Sequence, residues 1–233
     1  IKSIVLKKRL NNSKKFVFPN KCPSCGSLTV KEFNLTTRKK DVVRRCSSEG
    51  FECNKVAEEK IKHFVSKEAL NIEGFGKKIV ENFYKLKLIK LPQDIFNLDF
   101  NKIEEMDGWG KQSISNLKYF IESSKNISFD KFIYALGIRH IGLENAKLIS
   151  KHLVSPKNFF NLSTNDQINE LLMIDGIGET QIESIKNFFS NKTNLEVLGK
   201  LKKILKIKDN IPLKNNGFLT NKTFLITGKL KGI

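Results

Sequence analysis

The sequence predicts a mainly α chain with one small β-containing metal module near its start. Three observations predict it. All four cysteines fall between positions 22 and 53, apolar residues recur at helical spacing from about 58 to 190, and one glycine signature returns four times.

The module comes first. Cys22, Cys25, Cys46 and Cys53 follow the pattern Cys-x2-Cys-x20-Cys-x6-Cys. Two short pairs suit a structural zinc site, each gripping the ion from one knuckle until four thiolates complete a tetrahedron. Pro23 stiffens the first knuckle, Gly26 permits positive φ there, and Gly50 serves the wider second one. Two disulfides are the competing reading. The first ten residues lack the apolar stretch of an export signal, and thiols stay reduced in the cytosol, which favours zinc. With four ligands no coordination position stays open, so the metal holds the fold rather than catalyses. His63 lies beyond the cluster and is expected to pack in the next helix. Between the knuckles, Thr29, Val30, Phe33, Leu35, Val42 and Val43 read as a small hairpin interrupted by a polar stretch at 36–41. Arg44 and Arg45 are open to two readings, phosphate contact or solvated edge.

The helical region follows. Segments 59–64, 78–86, 113–123 and 181–189 place apolar residues three and four apart, and Pro92 and Pro156 punctuate the series. The recurring signature is Ile72-Glu-Gly-Phe-Gly76, Met106-Asp-Gly-Trp-Gly110, Ile138-Arg-His-Ile-Gly142 and Ile174-Asp-Gly-Ile-Gly178. The final glycines are 34, 32 and 36 residues apart. A small or apolar residue stands four positions on: Val80, Ile114, Ala146 and Ile182. This is the form of a helix-hairpin-helix. Both glycines are expected to free the turn from angles a Cβ forbids, while the apolar residue between them pins it to the core. Bare amides then face outward at the start of the second helix, where the dipole favours an anion.

Four such turns at near-constant spacing point to the DNA backbone, held without reading sequence. The expected contacts are Gly74, Gly76, Lys77 and Lys78 in the first hairpin and Gly108, Gly110 and Lys111 in the second. The third offers Arg139 and Gly142, with His140 in place of the first glycine. The fourth offers Gly176 and Gly178 but is flanked by Asp175 and Glu179, which suits a packing partner. Trp109 is read as an anchor rather than a base-stacking platform. A helical array whose glycines only permit close packing is the plainer alternative.

Composition agrees. The net charge is +18, which favours phosphate-rich partners. A lysine-biased codon usage is the bland explanation, since only Arg9, Arg38, Arg44, Arg45 and Arg139 are arginines. No apolar run approaches the roughly 18 residues that cross a bilayer, and no membrane role is expected.

In order, these features resemble one family, the bacterial NAD-dependent DNA ligases. The resemblance rests on Phe18-Pro-Asn-Lys-Cys-Pro-Ser-Cys-Gly26, the second cysteine pair, Lys62-His-Phe-Val-Ser66, the four hairpins and Phe132-Ile-Tyr-Ala-Leu-Gly-Ile-Arg139. Asn221-Lys-Thr-Phe-Leu-Ile-Thr-Gly-Lys-Leu230 is similar to the opening of a BRCT domain. The cysteine pairs stand further apart than the family pattern, and Val56 occupies a position where Gln is usual. The resemblance implies the end of an oligonucleotide-binding (OB) domain at 1–18 and a four-cysteine zinc finger at 19–57. It also implies a helix-hairpin-helix domain at 58–205, a linker at 206–220 and the start of a BRCT domain at 221–233.

It further implies that the complete protein seals nicks in double-stranded DNA during replication and repair, using NAD and Mg2+. Such ligases attack the adenylyl phosphate with the lysine of a Lys-x-Asp-Gly motif. This chain has none; its nearest match, Glu105-Met-Asp-Gly108, belongs to a hairpin. The chain begins with Ile, so a piece of a longer protein is expected, with no catalytic residue of its own and with NAD and Mg2+ bound elsewhere. A monomer bound to nicked duplex, cytoplasmic and nucleoid-associated, completes the expectation. The alternatives are a stand-alone, non-enzymatic DNA-binding repair protein and the DNA-binding tail of an excision nuclease. The zinc module ahead of the hairpins disfavours the latter.

Overall fold

The computed structural model describes residues 5–14, 16–34, 38–162 and 164–211. Among the described residues, four two-residue strands lie in the cysteine module. Strand β1 (Thr29–Val30) pairs antiparallel with β4 (Arg45–Cys46), and β2 (Phe33–Asn34) with β3 (Lys39–Lys40). The anticipated hairpin is therefore a nested pair of ladders. Thr29 stands opposite Cys46, which brings the second knuckle beside the first.

Ten helices follow: α1 (Asn54–Phe64), α2 (Lys77–Lys85), α3 (Phe100–Glu104), α4 (Lys111–Ser124), α5 (Phe129–Ala135), α6 (Leu143–Leu153), α7 (Pro156–Phe160), α8 (Asn165–Asn169), α9 (Glu179–Ser190) and α10 (Lys192–Ile204). Short 3-10 turns cover Pro92–Asn97 and Glu170–Met173. Both punctuating prolines begin such elements, Pro92 a 3-10 turn and Pro156 helix α7, where a missing N–H costs nothing. One apolar core runs through the helices, with Phe64, Phe75, Phe83, Phe132 and Phe159 fully enclosed. The residues four positions past each signature, Val80, Ile114, Ala146 and Ile182, are all buried in it. This is the helical period carried into packing.

Three sequence expectations meet a different outcome or none. Residues 206–208, read as linker, form strand β6 (Lys206–Lys208), which pairs in parallel with β5 (Asn126–Ser128) and packs Ile207 on the core. In residues 1–18, where the resemblance implied the end of an OB domain and with it a barrel strand, the described residues form a single 3-10 turn, Leu6–Lys8, and no strand. A strand needs a neighbour for its ladder, and no described segment supplies one there. The BRCT-like segment 221–233 lies outside the described residues.

How the helices begin positions the site. Asp99, Ser155, Thr164 and Asn191 cap α3, α7, α8 and α10 with side-chain oxygens. The four helices that follow the glycine signatures begin instead on Gly76, Gly110, Gly142 and Gly178, none of which offers a side chain.

Candidate metal centre and nucleic-acid interface

The four cysteine sulfurs lie within 4.8 Å of one another. Cys22 Sγ is 3.9 Å from Cys53 Sγ, and Cys25 Sγ is 3.4 Å from Cys46 Sγ. Four sulfurs at about 2.3 Å from a central ion would stand about 3.8 Å apart, so the arrangement fits one tetrahedral metal. No cysteine is in a disulfide. In the first knuckle the Gly26 amide donates to the Cys22 carbonyl at 2.8 Å, with Gly26 at φ +76°. Gly50 turns the second knuckle at φ +52°. Cys53, buried, is the residue from which α1 departs.

The local electrostatics ask for a cation. Hydrogen bonds from Ser27, and then from the Ser48 hydroxyl, draw the Cys25 thiol down to about 5. Ser48 also lowers Cys46 through its side chain and amide. Burial and the neighbouring sulfurs of Cys25 and Cys22 nonetheless hold Cys46 above its ordinary value. Adjacent thiols competing for protons in this way are eased by a bound metal. His63 stays apart from the cluster: its Nε2 pairs with the Tyr134 carbonyl at 2.7 Å.

All four signatures fold into the same turn. In each, the amide of the fourth residue donates to the carbonyl of the first: Phe75 to Ile72, Trp109 to Met106, Ile141 to Ile138 and Ile177 to Ile174, at 3.0–3.2 Å. The third residue takes positive φ at Gly74 (+73°), Gly108 (+84°), His140 (+60°) and Gly176 (+91°). Histidine is among the residues that enter this region most readily, which lets His140 replace glycine. Phe75, Ile141 and Ile177 are buried, and Trp109 is half-buried with its ring centroid 5.5 Å from that of Phe83. Trp109 anchors the turn, as expected.

The expectation that both glycines serve the turn is corrected. Gly76, Gly110, Gly142 and Gly178 are all extended, in a conformation open to any residue. A Cβ built on Gly76, Gly110 or Gly142 would meet nothing within 4 Å. Nothing in the described fold therefore requires these glycines. What a side chain there would obstruct is approach from outside.

The hairpins then diverge. In the first two, Lys77, Lys78 and Lys111 are exposed and have no acidic partner among the described residues. Gly74 and Gly108 line one groove of about 480 Å³, together with Ile79, Trp109, Ser113 and Asn116. In the third, Arg139 Nε donates to Glu32 Oε2 at 2.8 Å and Nη2 pairs with the same oxygen. In the fourth, the Gly178 amide already donates to Gln181 Oε1 at 3.2 Å. Arg44 and Arg45 are engaged within the cysteine module. Arg44 donates to the Thr29 carbonyl at 3.1 Å, and Arg45 pairs with Asp41 at 3.2 Å.

Two residues escaped the sequence reading. Gln181, three positions past Gly178, carried the signal of a capping box. Glu32 carried none, because its partner lies 107 residues away.

A four-cysteine module with sulfurs placed to hold one metal ion, joined to four hairpins of one design, defines a mainly helical helix-hairpin-helix protein. A family model described as a helix-hairpin-helix motif matches residues 131–198, the third and fourth hairpins. The chain is 66% identical to a DNA ligase of Pelagibacter ubique, over 99% of this chain and 34% of the relative. It is 42% identical to a DNA ligase of Wolbachia pipientis over 97% of the chain. Against a DNA ligase of Rickettsia typhi it is 40% identical over all of it. Each match covers 34% of the relative, so the chain spans about a third of the length of these proteins. It is homologous to DNA ligases over nearly its whole length, consistent with a fragment of one.

Proposed function

We propose that this chain is the DNA-holding portion of an NAD-dependent DNA ligase that joins 5'-phosphate and 3'-hydroxyl ends at nicks in duplex DNA. The observation that carries the reading is the open start of α2 and α4. Exposed, extended Gly76 and Gly110 lead there into unpaired Lys77, Lys78 and Lys111, and the turn glycines just before them, Gly74 and Gly108, line one groove. Such a surface suits phosphodiester oxygens: amides and dipole supply direction, and lysines supply charge. Gly74, Gly76, Lys77 and Lys78 would meet one stretch of backbone and Gly108, Gly110 and Lys111 another. Gly142, Gly176 and Gly178 belong to a second pair of hairpins, where packing takes the larger share.

One zinc ion held by Cys22, Cys25, Cys46 and Cys53 would tie the two knuckles together and present the module to the hairpins. NAD and Mg2+ act in a part of the enzyme outside this chain, because residues 1–233 hold no Lys-x-Asp-Gly motif. On this reading residues 1–18 end an OB domain, 19–57 are the zinc finger and 58–205 bind DNA. Residues 221–233 begin a BRCT domain after the linker. The protein works in the cytoplasm on the nucleoid, as a monomer, in replication and repair.

The test is direct. The purified chain should bind nicked and intact duplex without sequence preference. It should form no covalent AMP adduct when given NAD and Mg2+. An adenylylated lysine anywhere in residues 1–233, or no affinity for duplex at low salt, would overturn the reading.

A further inference from the structure

Besides His140 in place of the turn glycine, the third hairpin differs from the others in the charge of its second residue. The second residue of the turn is acidic in three of them, Glu73, Asp107 and Asp175, and cationic in the third, Arg139. Helix α6 then opens with Leu143, Glu144 and Asn145, so no lysine follows this turn. Arg139 is its only strong cation. That cation is held by a carboxylate from another module: Glu32, beside β2 of the cysteine module, meets both Nε and Nη2. The same Glu32 oxygen lies 4.0 Å from His140 Nε2. One carboxylate thus holds the side chains of the turn's second and third residues, while the approach to Gly142 stays as open as that to Gly76 and Gly110.

A carboxylate gripped from two guanidinium nitrogens makes the same charge-assisted contacts as a phosphate oxygen. The pair is also reversible. Both side chains keep a third or more of their surface in solvent, at 43% for Arg139 and 34% for Glu32. An ion pair that exposed is worth little net free energy, and a polyanion competes with it easily.

We propose that Glu32 stands in for a phosphate on the Arg139 guanidinium of the third hairpin in the free protein, and that duplex DNA takes Arg139 from it on binding. The idea rests on the DNA-backbone reading above and adds a role for Glu32. It ties the edge of the cysteine module weakly to the third hairpin until DNA arrives, and frees that edge as DNA engages. Arg139 is then a phosphate ligand only in the complex.

The experiment is a salt titration of duplex affinity for the 233-residue chain, with melting and metal content measured beside it. Glu32→Gln preserves shape, and Glu32→Ala removes every contact. Both should bind about two- to fivefold more tightly, the weight of one half-exposed ion pair. Arg139→Ala should bind more weakly, with a log K against log salt slope shallower by up to about one. In the Arg139→Ala background the Glu32 gain should vanish. A gain that persists there is a general charge effect and overturns the exchange, as does a Glu32→Gln chain that binds no more tightly. If the unsubstituted chain fails to bind duplex at all, the DNA reading itself falls and the exchange with it. Binding by the unsubstituted chain with an unresponsive Glu32 sinks the exchange alone.

Discussion

The Lys62 ammonium on α1 lies 2.6 Å from the Glu81 carboxylate on α2, and 2.8 and 2.9 Å from those of Glu58 and Glu59. Lys62 is 8% exposed, and its tie to Glu81 clasps the two helices that flank the first hairpin turn. Burial works against its charge, but the hydrogen bonds it donates to Glu58, Glu81 and Glu59 outweigh it and raise its pKa above the ordinary lysine value.

Lys62→Met should therefore loosen the first hairpin and cost roughly 1–2 kcal/mol, held down by the exposure of Glu59 and Glu81. The pH dependence has a definite sign. A raised lysine pKa stabilises at every pH below the ordinary value, so nothing is lost near neutrality. Glu58 is lowered by hydrogen bonds from Lys55 and then Lys62, so its contribution is present above its ordinary 4.5 and fades as pH falls through its lower folded value. Thermal melts should show a gap between the two chains that is full at pH 7 and narrows as the pH falls below the ordinary 4.5 of Glu58.

The first-position and second-position glycines of the hairpins should separate by stability. Gly176 has φ +91°, and a Cβ there would come within 3.1 Å of Leu148 Cδ1. Gly176→Ala should cost roughly 1–3 kcal/mol. Gly76→Ala meets no such obstacle and should cost less than about 1 kcal/mol. Equal melting temperatures for the two variants would refute the division of roles between first and second glycine.

Metal analysis of the purified chain should find one zinc. Cys46→Ser should lose it and unfold residues 20–57 while the helical region keeps its far-ultraviolet signal. A protein without zinc whose four cysteines are disulfide-bonded would contradict the metal assignment.

Local chemistry carried the sequence reading far. Cysteine spacing placed four sulfurs around one point, and the recurring glycines gave four turns with one hydrogen-bond pattern. What stayed hidden was non-local. The β5–β6 pairing joins Ile127 to Ile207, and Arg139 meets Glu32, and no periodicity links such distant segments. The role of the second glycine was misread for a different reason. A pattern shows that glycine is present, whereas φ shows whether the backbone needs it, and at Gly110 it does not. That correction sharpens the functional reading, since a glycine the fold does not need is one an outside partner can use.

The most direct measurement is a salt titration of duplex binding by Gly110→Val beside Lys111→Ala. Gly110 is extended and its Cβ direction is open, so valine should fold, with at most about 1 kcal/mol lost at the helix cap. It should weaken binding while leaving the log–log salt slope nearly unchanged, because it blocks close approach and removes no charge. Lys111→Ala should weaken binding and make the slope shallower by up to about one. A folded Gly110→Val chain that binds duplex normally would contradict the claim that the open start of α4 cradles phosphate.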